Sequence, residues 1–179
     1  MTNEEQIEIP LSRTKMTITF LVSLIFIGLG IWFVISPPIV NSHIFGNPTL
    51  ILIVGITAVL FFGFVAITIF RKFSDNKAGL IINKQGIIDN SSGVSAGLIP
   101  WTDIEELKVL QVVSQKFLMI IVKNPQAYLD RVSNPIKRNA MKMNFKSYGS
   151  PISISPNALK TDFDTLKQQL EEKMKEYKS

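Results

Sequence analysis

The side chains able to do acid–base chemistry are few and scattered. They are Asp103, Glu105, Glu106, Asp162 and Asp164 in the second half of the chain, and His43, the single histidine. Hydrolysis or group transfer needs a base in hydrogen-bond reach of a nucleophile, or two carboxylates converging on one bond. Glu105 and Glu106 are neighbours in a strand-like run, which predicts that they point to opposite faces. Asp162 and Asp164 open an amphipathic run, where the helix dipole favours carboxylates for structural reasons. His43 has no acidic or thiol company in "NSHIFGN" and reads as a solvated loop residue rather than a ligand. Cysteine is absent, which removes disulfides, thiolate metal sites and cysteine nucleophiles. No P-loop, nucleophile elbow or HExxH pattern occurs. The sequence therefore predicts a non-enzyme, with no catalytic residue, no cofactor and no metal site.

A different chemistry is written between Asn134 and Tyr148. Lys137, Arg138, Lys142 and Lys146 alternate there with Ile136, Met141, Met143, Phe145 and Tyr148. At helical spacing Arg138, Lys142 and Lys146 form one face, and Met141 and Phe145 form a neighbouring apolar stripe. That is the composition of a helix lying in a lipid interface, and Lys137, Arg138, Lys142, Lys146, Phe145 and Tyr148 are the candidate lipid or partner contacts. The same residues also suit a helix packed on its own domain with a solvated charged face. Nucleic acid is not expected, because no RNP-like, zinc-binding or helix-turn-helix motif is present.

The elements that position this segment begin with two charge-free runs, Met16–Ser36 and Thr49–Phe70, of 21 and 22 residues. At about 1.5 Å per residue each spans roughly 30 Å, the hydrocarbon thickness of a bilayer. The leader "MTNEEQIEIPLSRTK" is acidic, the first run is too long for a signal peptide, and no A-x-A-like site follows it. An uncleaved transmembrane hairpin is predicted. Arg13 and Lys15 precede the first span and Arg71 and Lys72 follow the second, while the connection "PPIVNSHIFGNP" has neither Lys nor Arg. The positive-inside rule then places both termini in the cytoplasm. Pro37 and Pro38 stop the first helix, and Asn47-Pro48 starts the second. Neither span contains an ionisable group of the kind that marks ion or proton paths. The hydroxyls of Thr19, Ser23 and Thr68 are among those able to bond their own helix backbone. Anchoring is favoured over transport, with an oligomeric pore as the alternative.

From Arg71 onward there are 17 Lys or Arg against 11 Asp or Glu, a net charge of +6. Such an excess suits an anionic leaflet, where each base contributes about 1 kcal/mol, and equally suits simple solubility. Short β-like runs follow: "IINK" and "GIIDN" about a turn at Gln85-Gly86, then "VSAGLIPW", "IEELKVLQVV" and "KFLMIIVKN". Asn124-Pro125 and Asn134-Pro135 each open a helix, and Tyr148-Gly149 closes the second. "PISISP" is one more short strand. Phe163, Leu166, Leu170 and Met174 then form the apolar stripe of a terminal helix. Strands grouped together with a helix at the end imply α+β. "IEIPL" near the N-terminus alternates as an edge strand would, or would lie along the membrane.

The stretch "GLIINKQGIIDNSSGVSAGLIPWTDIEELKV" after a two-span hairpin resembles the bacterial PH-like domains, with Gly86, Gly97, Pro100, Trp101 and Asp103 its most recognisable positions. "NPIKRNAMKMNFKSYGSPISIS" is similar to the STM3941-type family of bacterial membrane proteins. The resemblance implies a bent antiparallel β-barrel with a helical insertion and a C-terminal capping helix. It brings no catalytic residues. In the corner Pro100-Trp101-Thr102-Asp103 proline ends a strand, the indole fills core rather than stacking on a ligand, and Asp or Thr bonds the turn backbone. Gly86, Pro100 and Trp101 are thus structural. Classical PH domains bind phosphoinositides with several bases at the first hairpin, where this chain offers only Lys84.

The organisation expected is a cytoplasmic segment 1–15, transmembrane helices 16–36 and 49–70 about an external loop 37–48, and a cytoplasmic PH-like domain 71–179. The function expected is a scaffold or interaction module of the bacterial inner membrane. Its candidate partners are the bilayer, anionic lipid headgroups, another protein or a second copy of itself. Lipid sensing through 134–148 is the alternative.

Overall fold

The computed structural model describes residues 6–38, 47–73 and 77–178; Glu4, Glu5 and His43 lie outside them. The chain divides into two units, a helix pair from Arg13 to Asn76 and a domain made of the residues on either side of it.

In the helix pair, α1 runs Arg13–Ile35 and α2 runs Pro48–Phe73. Both helices outrun their charge-free cores, so Arg13, Lys15, Arg71 and Lys72 are helical residues. Asn47 caps α2 as its carboxamide oxygen accepts from the Thr49 N–H at 2.9 Å. The helices meet where both lack a side chain. A Cβ on Gly30 would lie 2.9 Å from the Gly55 carbonyl, and one on Gly55 would lie 2.8 Å from the Gly30 carbonyl. Phe26 stacks on Phe62 with ring centroids 4.4 Å apart. Thr19, Ser23 and Thr68 donate to carbonyls one turn back at 2.8–2.9 Å, which leaves these hydroxyls satisfied inside their own helices. The remaining surface is apolar and open: Ile25, Leu60, Phe61 and Phe64 are each more than half exposed. A soluble core helix would bury such a surface; these two helices are long and apolar enough to cross a membrane.

The domain holds two antiparallel sheets. The first is a meander of β1 (Ile7–Ile9), β2 (Leu80–Asn83), β3 (Gly86–Asp89) and β4 (Gly97–Pro100). The second has β5 (Ile104–Val112), β6 (Gln115–Val122) and β7 (Ser153–Ile154). The predicted "IEIPL" strand is β1, paired with β2 in the register Ile7↔Ile82. The domain thus gains residues before the hairpin and leaves 71–76 to the helix-pair unit. The mixed α and β content agrees with expectation, but no closed barrel forms among the described residues. The reason lies at the corner, where Pro100 ends β4 without an N–H and Trp101–Asp103 form a 3-10 turn. The chain therefore leaves the first sheet there and starts a second one. One bridge, Leu11↔Leu159, with Ser12 N–H to the Ala158 carbonyl and Lys160 N–H to the Pro10 carbonyl, ties β1's end to the segment after β7.

The first hairpin turns one residue earlier than expected. Asn83 pairs with Gly86, so Lys84-Gln85 form the loop, and the Asn83 carboxamide accepts from Gln85 N–H at 2.9 Å. Gly86 is required for another reason: its φ is 150°, and a Cβ would collide with the Ile99 carbonyl of β4.

Between β6 and β7 come α3 (Pro125–Asp130) and α4 (Pro135–Tyr148), and α5 (Phe163–Lys178) ends the chain. Asn124 and Asn134 cap their helices as predicted, and Gly149 at φ 82° closes α4. The core joins Leu80, Ile82, Ile87, Ile99 and Ile104 with Leu118, Ile120 and Val122, and Leu166 and Leu170 of α5 seal it. Each such side chain contributes about 1.5–3 kcal/mol of burial.

Candidate functional site

The carboxylates are dispersed into structural work. Asp103 bonds no turn N–H of its own corner; its carboxylate accepts from the Tyr128 hydroxyl at 2.8 Å. Burial and that carboxylate push the Tyr128 phenol above its ordinary range. Asp162 accepts from the Thr165 N–H at 2.9 Å and from its hydroxyl at 2.7 Å, and these bonds hold its carboxyl below the usual value. Glu105 and Glu106 do not separate to opposite faces. The register slips between Ile104 and Glu106, and this bulge lets both line one groove with Leu107, Glu171, Met174, Lys175 and Lys178. That groove, about 420 Å³, carries both signs of charge along its walls. Among the described residues no three His, Asp or Glu gather as a metal would need.

Among the described residues Asp89 is the one buried carboxylate, 3% exposed. It accepts from Ser91 N–H at 2.9 Å, Ser91 hydroxyl at 2.6 Å and Ala96 N–H at 3.1 Å, tying down the loop between β3 and β4. Burial raises its pKa above the ordinary value despite these bonds and the nearby Lys137.

The basic segment is α4, and its four bases part company. Lys137 is half-buried and acts on Asp89. Arg138 turns to Asp130 of α3 at 2.7 Å. Lys142 and Lys146 are exposed, and among the described residues neither has a carboxylate partner. The predicted Met141–Phe145 stripe is not an outer one, because Met141 is fully buried in the core. Phe145 is 39% exposed, and Tyr148, equally exposed, borders a groove of about 200 Å³ with Leu110, Val112, Phe117, Met119, Asn144 and Ser153. The apolar residues on the outer face are instead Ile136 and Met143, 66% and 70% exposed. Their seven-residue spacing places both on one side, about 140–160° around the helix from Met141. Taking the burial of Met141 as the origin would have singled them out in the sequence.

Trp101 is 3% exposed, and its indole N–H donates to the Asn83 carbonyl at 2.8 Å. It has no face open to a ligand. Pro100 and Gly86 are cross-strand partners in the first sheet.

No family model, curated protein or solved structure matches this chain.

Proposed function

We propose that this chain is a membrane-anchored, non-catalytic interaction module of the bacterial inner membrane, with a PH-like domain held on the cytoplasmic side. The observation that carries the reading is the β1–β2 ladder, Ile7↔Ile82 to Ile9↔Leu80. These strands flank the two apolar helices, so both ends of the hairpin belong to one sheet and to one side of any membrane it crosses. The bases Arg13, Lys15, Arg71 and Lys72 at those ends favour the cytoplasmic side. Two meanders of four and three strands followed by a helix support the PH-like reading. The carboxylates bound to Tyr128, Thr165 and Ser91 support a role in binding rather than catalysis.

Alkaline extraction and reporter fusions test the reading. The full chain stays in the membrane pellet at high pH, and reporters fused before Met1 and after Ser179 are both active only in cytoplasmic format. Release from the pellet, or activity of either fusion in periplasmic format, would overturn it.

A further inference from the structure

We propose that the outer face of α4, Ile136 and Met143 flanked by Lys142 and Lys146, rests on the anionic phospholipid surface of the membrane that α1 and α2 cross. The inference deepens the reading above and rests on its claim that the two helices are membrane spans.

The inner side of α4 is committed to the domain by Met141 and by the Asn144–Ser153 hydrogen bond. What is left is an outward strip with two large apolar side chains, two exposed lysines and the small or neutral Asn139 and Ser147. The helix contains no acidic residue at all. The nearest carboxylate it engages, Asp130, is held by Arg138. Apolar tips beside lysines whose long stems reach up to headgroups match a bilayer interface, apolar below and anionic above.

Size decides between a lipid surface and a soluble protein partner. At 14 residues α4 is about 21 Å long, and one face of it falls well short of the roughly 800 Å² per side of a stable protein interface. A bilayer contact needs no such area when the domain is already tethered. Residues 74–79 join α2 to β2 and can extend about 20 Å at most. The domain therefore stays near the bilayer, at an effective concentration that makes a weak contact sufficient.

The chain lacks cysteine, so single-cysteine labels report each site in the full-length protein. Met143→Cys, Gln168→Cys on the exposed side of α5, and Leu60→Cys in α2 would each carry a fluorophore. Each protein is reconstituted in vesicles of phosphatidylcholine alone or mixed with phosphatidylglycerol. The expected result is that a lipid-borne quencher reaches the Met143 label in the mixed vesicles and not the Gln168 label. Lys142→Gln and Lys146→Gln should each weaken docking about fivefold, and high salt should weaken it too. Quenching at Leu60 without quenching at Met143 sinks the α4 contact and leaves the anchor standing. Loss of lipid quenching at Leu60 removes the anchor as well. Equal quenching of Met143 in neutral vesicles, or shielding from both lipid-borne and aqueous quenchers, also overturns the proposal; the latter would mean that protein covers the face.

Discussion

Trp101 and Tyr177 stack with ring centroids 5.8 Å apart and planes inclined by 26°, joining the corner between the two sheets to the last turns of α5. The indole is fixed from its other edge by the Asn83 carbonyl. Trp101→Phe removes that hydrogen bond and part of the buried ring, and should cost about 2 kcal/mol. A double-mutant cycle with Tyr177→Ala should return a coupling of about 1 kcal/mol. Thermal unfolding of the full chain in detergent checks both, and a coupling of zero would mean that the stack contributes nothing.

The bond from Tyr128 to Asp103 couples α3 to the same corner. Tyr128→Phe leaves the carboxylate without its donor and should cost about 1–2 kcal/mol. Because its phenol is pushed up by burial and by Asp103, Tyr128 should stay protonated where an ordinary tyrosine ionises, near about pH 10. Ultraviolet titration of the wild type against the Phe variant reads this directly. A variant that removes a tyrosine ionising with the others would contradict it.

Asp89 gives the domain a pH dependence of defined sign. Its folded pKa is raised above 3.8, so the native state holds the proton more tightly than the unfolded chain does. The group's contribution therefore becomes more favourable as pH falls through the raised folded value, and levels off below the unfolded one. Asp89→Asn puts an amide N–H₂ against the Ser91 or Ala96 N–H and should be less stable at neutral pH. The wild-type advantage should grow as pH is lowered from 7 toward about 4. Denaturant melts at several pH values measure the difference, and an advantage that shrinks on acidification contradicts the assignment.

Gly30 and Gly55 set the distance between α1 and α2. Gly55→Leu places a side chain where the Gly30 carbonyl lies 2.8 Å from an added Cβ, and should weaken the pair by about 1–3 kcal/mol. A short bismaleimide between Phe26→Cys and Phe62→Cys, whose native rings stack, should crosslink efficiently with glycine at both positions. In the Gly55→Leu background the yield should fall several-fold. An unchanged yield would place the close approach elsewhere.

Val113 is the one described non-glycine residue with positive φ, 55°, and it is 90% exposed at the turn between β5 and β6. A β-branched residue there is strained and buries nothing in return. Val113→Asn should stabilise the domain by about 1 kcal/mol, seen as a rise in Tm.

The elements were legible wherever a short-range chemical signal marked them. Asn124-Pro125, Asn134-Pro135 and Gly149 announced helix ends because capping is satisfied within four residues of chain. The stripe Phe163–Met174 announced α5 because burial of one helix face imposes its own period. Signals that depend on distant chain were not legible. The bulge that brings Glu105 and Glu106 together arises from pairing with β6, and the gap between the two sheets arises from a 3-10 turn that "PWTD" does not spell out. The outer face of α4 was not legible because Arg138 looks like a solvent residue until Asp130 is known to pair with it, and Met141 looks like a surface residue until the core is known to enclose it.

The ladder between β1 and β2 also sets an order in time. Ile7 leaves the ribosome before either apolar helix, and Ile82 leaves after both. At about 5–20 residues per second the first strand waits several seconds for its partner. If α1 crosses the bilayer and α2 does not return, the two strands are left on opposite sides and the first sheet lacks its edge. If the two helices are the membrane spans proposed above, completion of the sheet reports completion of insertion, and a half-inserted chain carries an unpaired edge on β2 open to association with another chain.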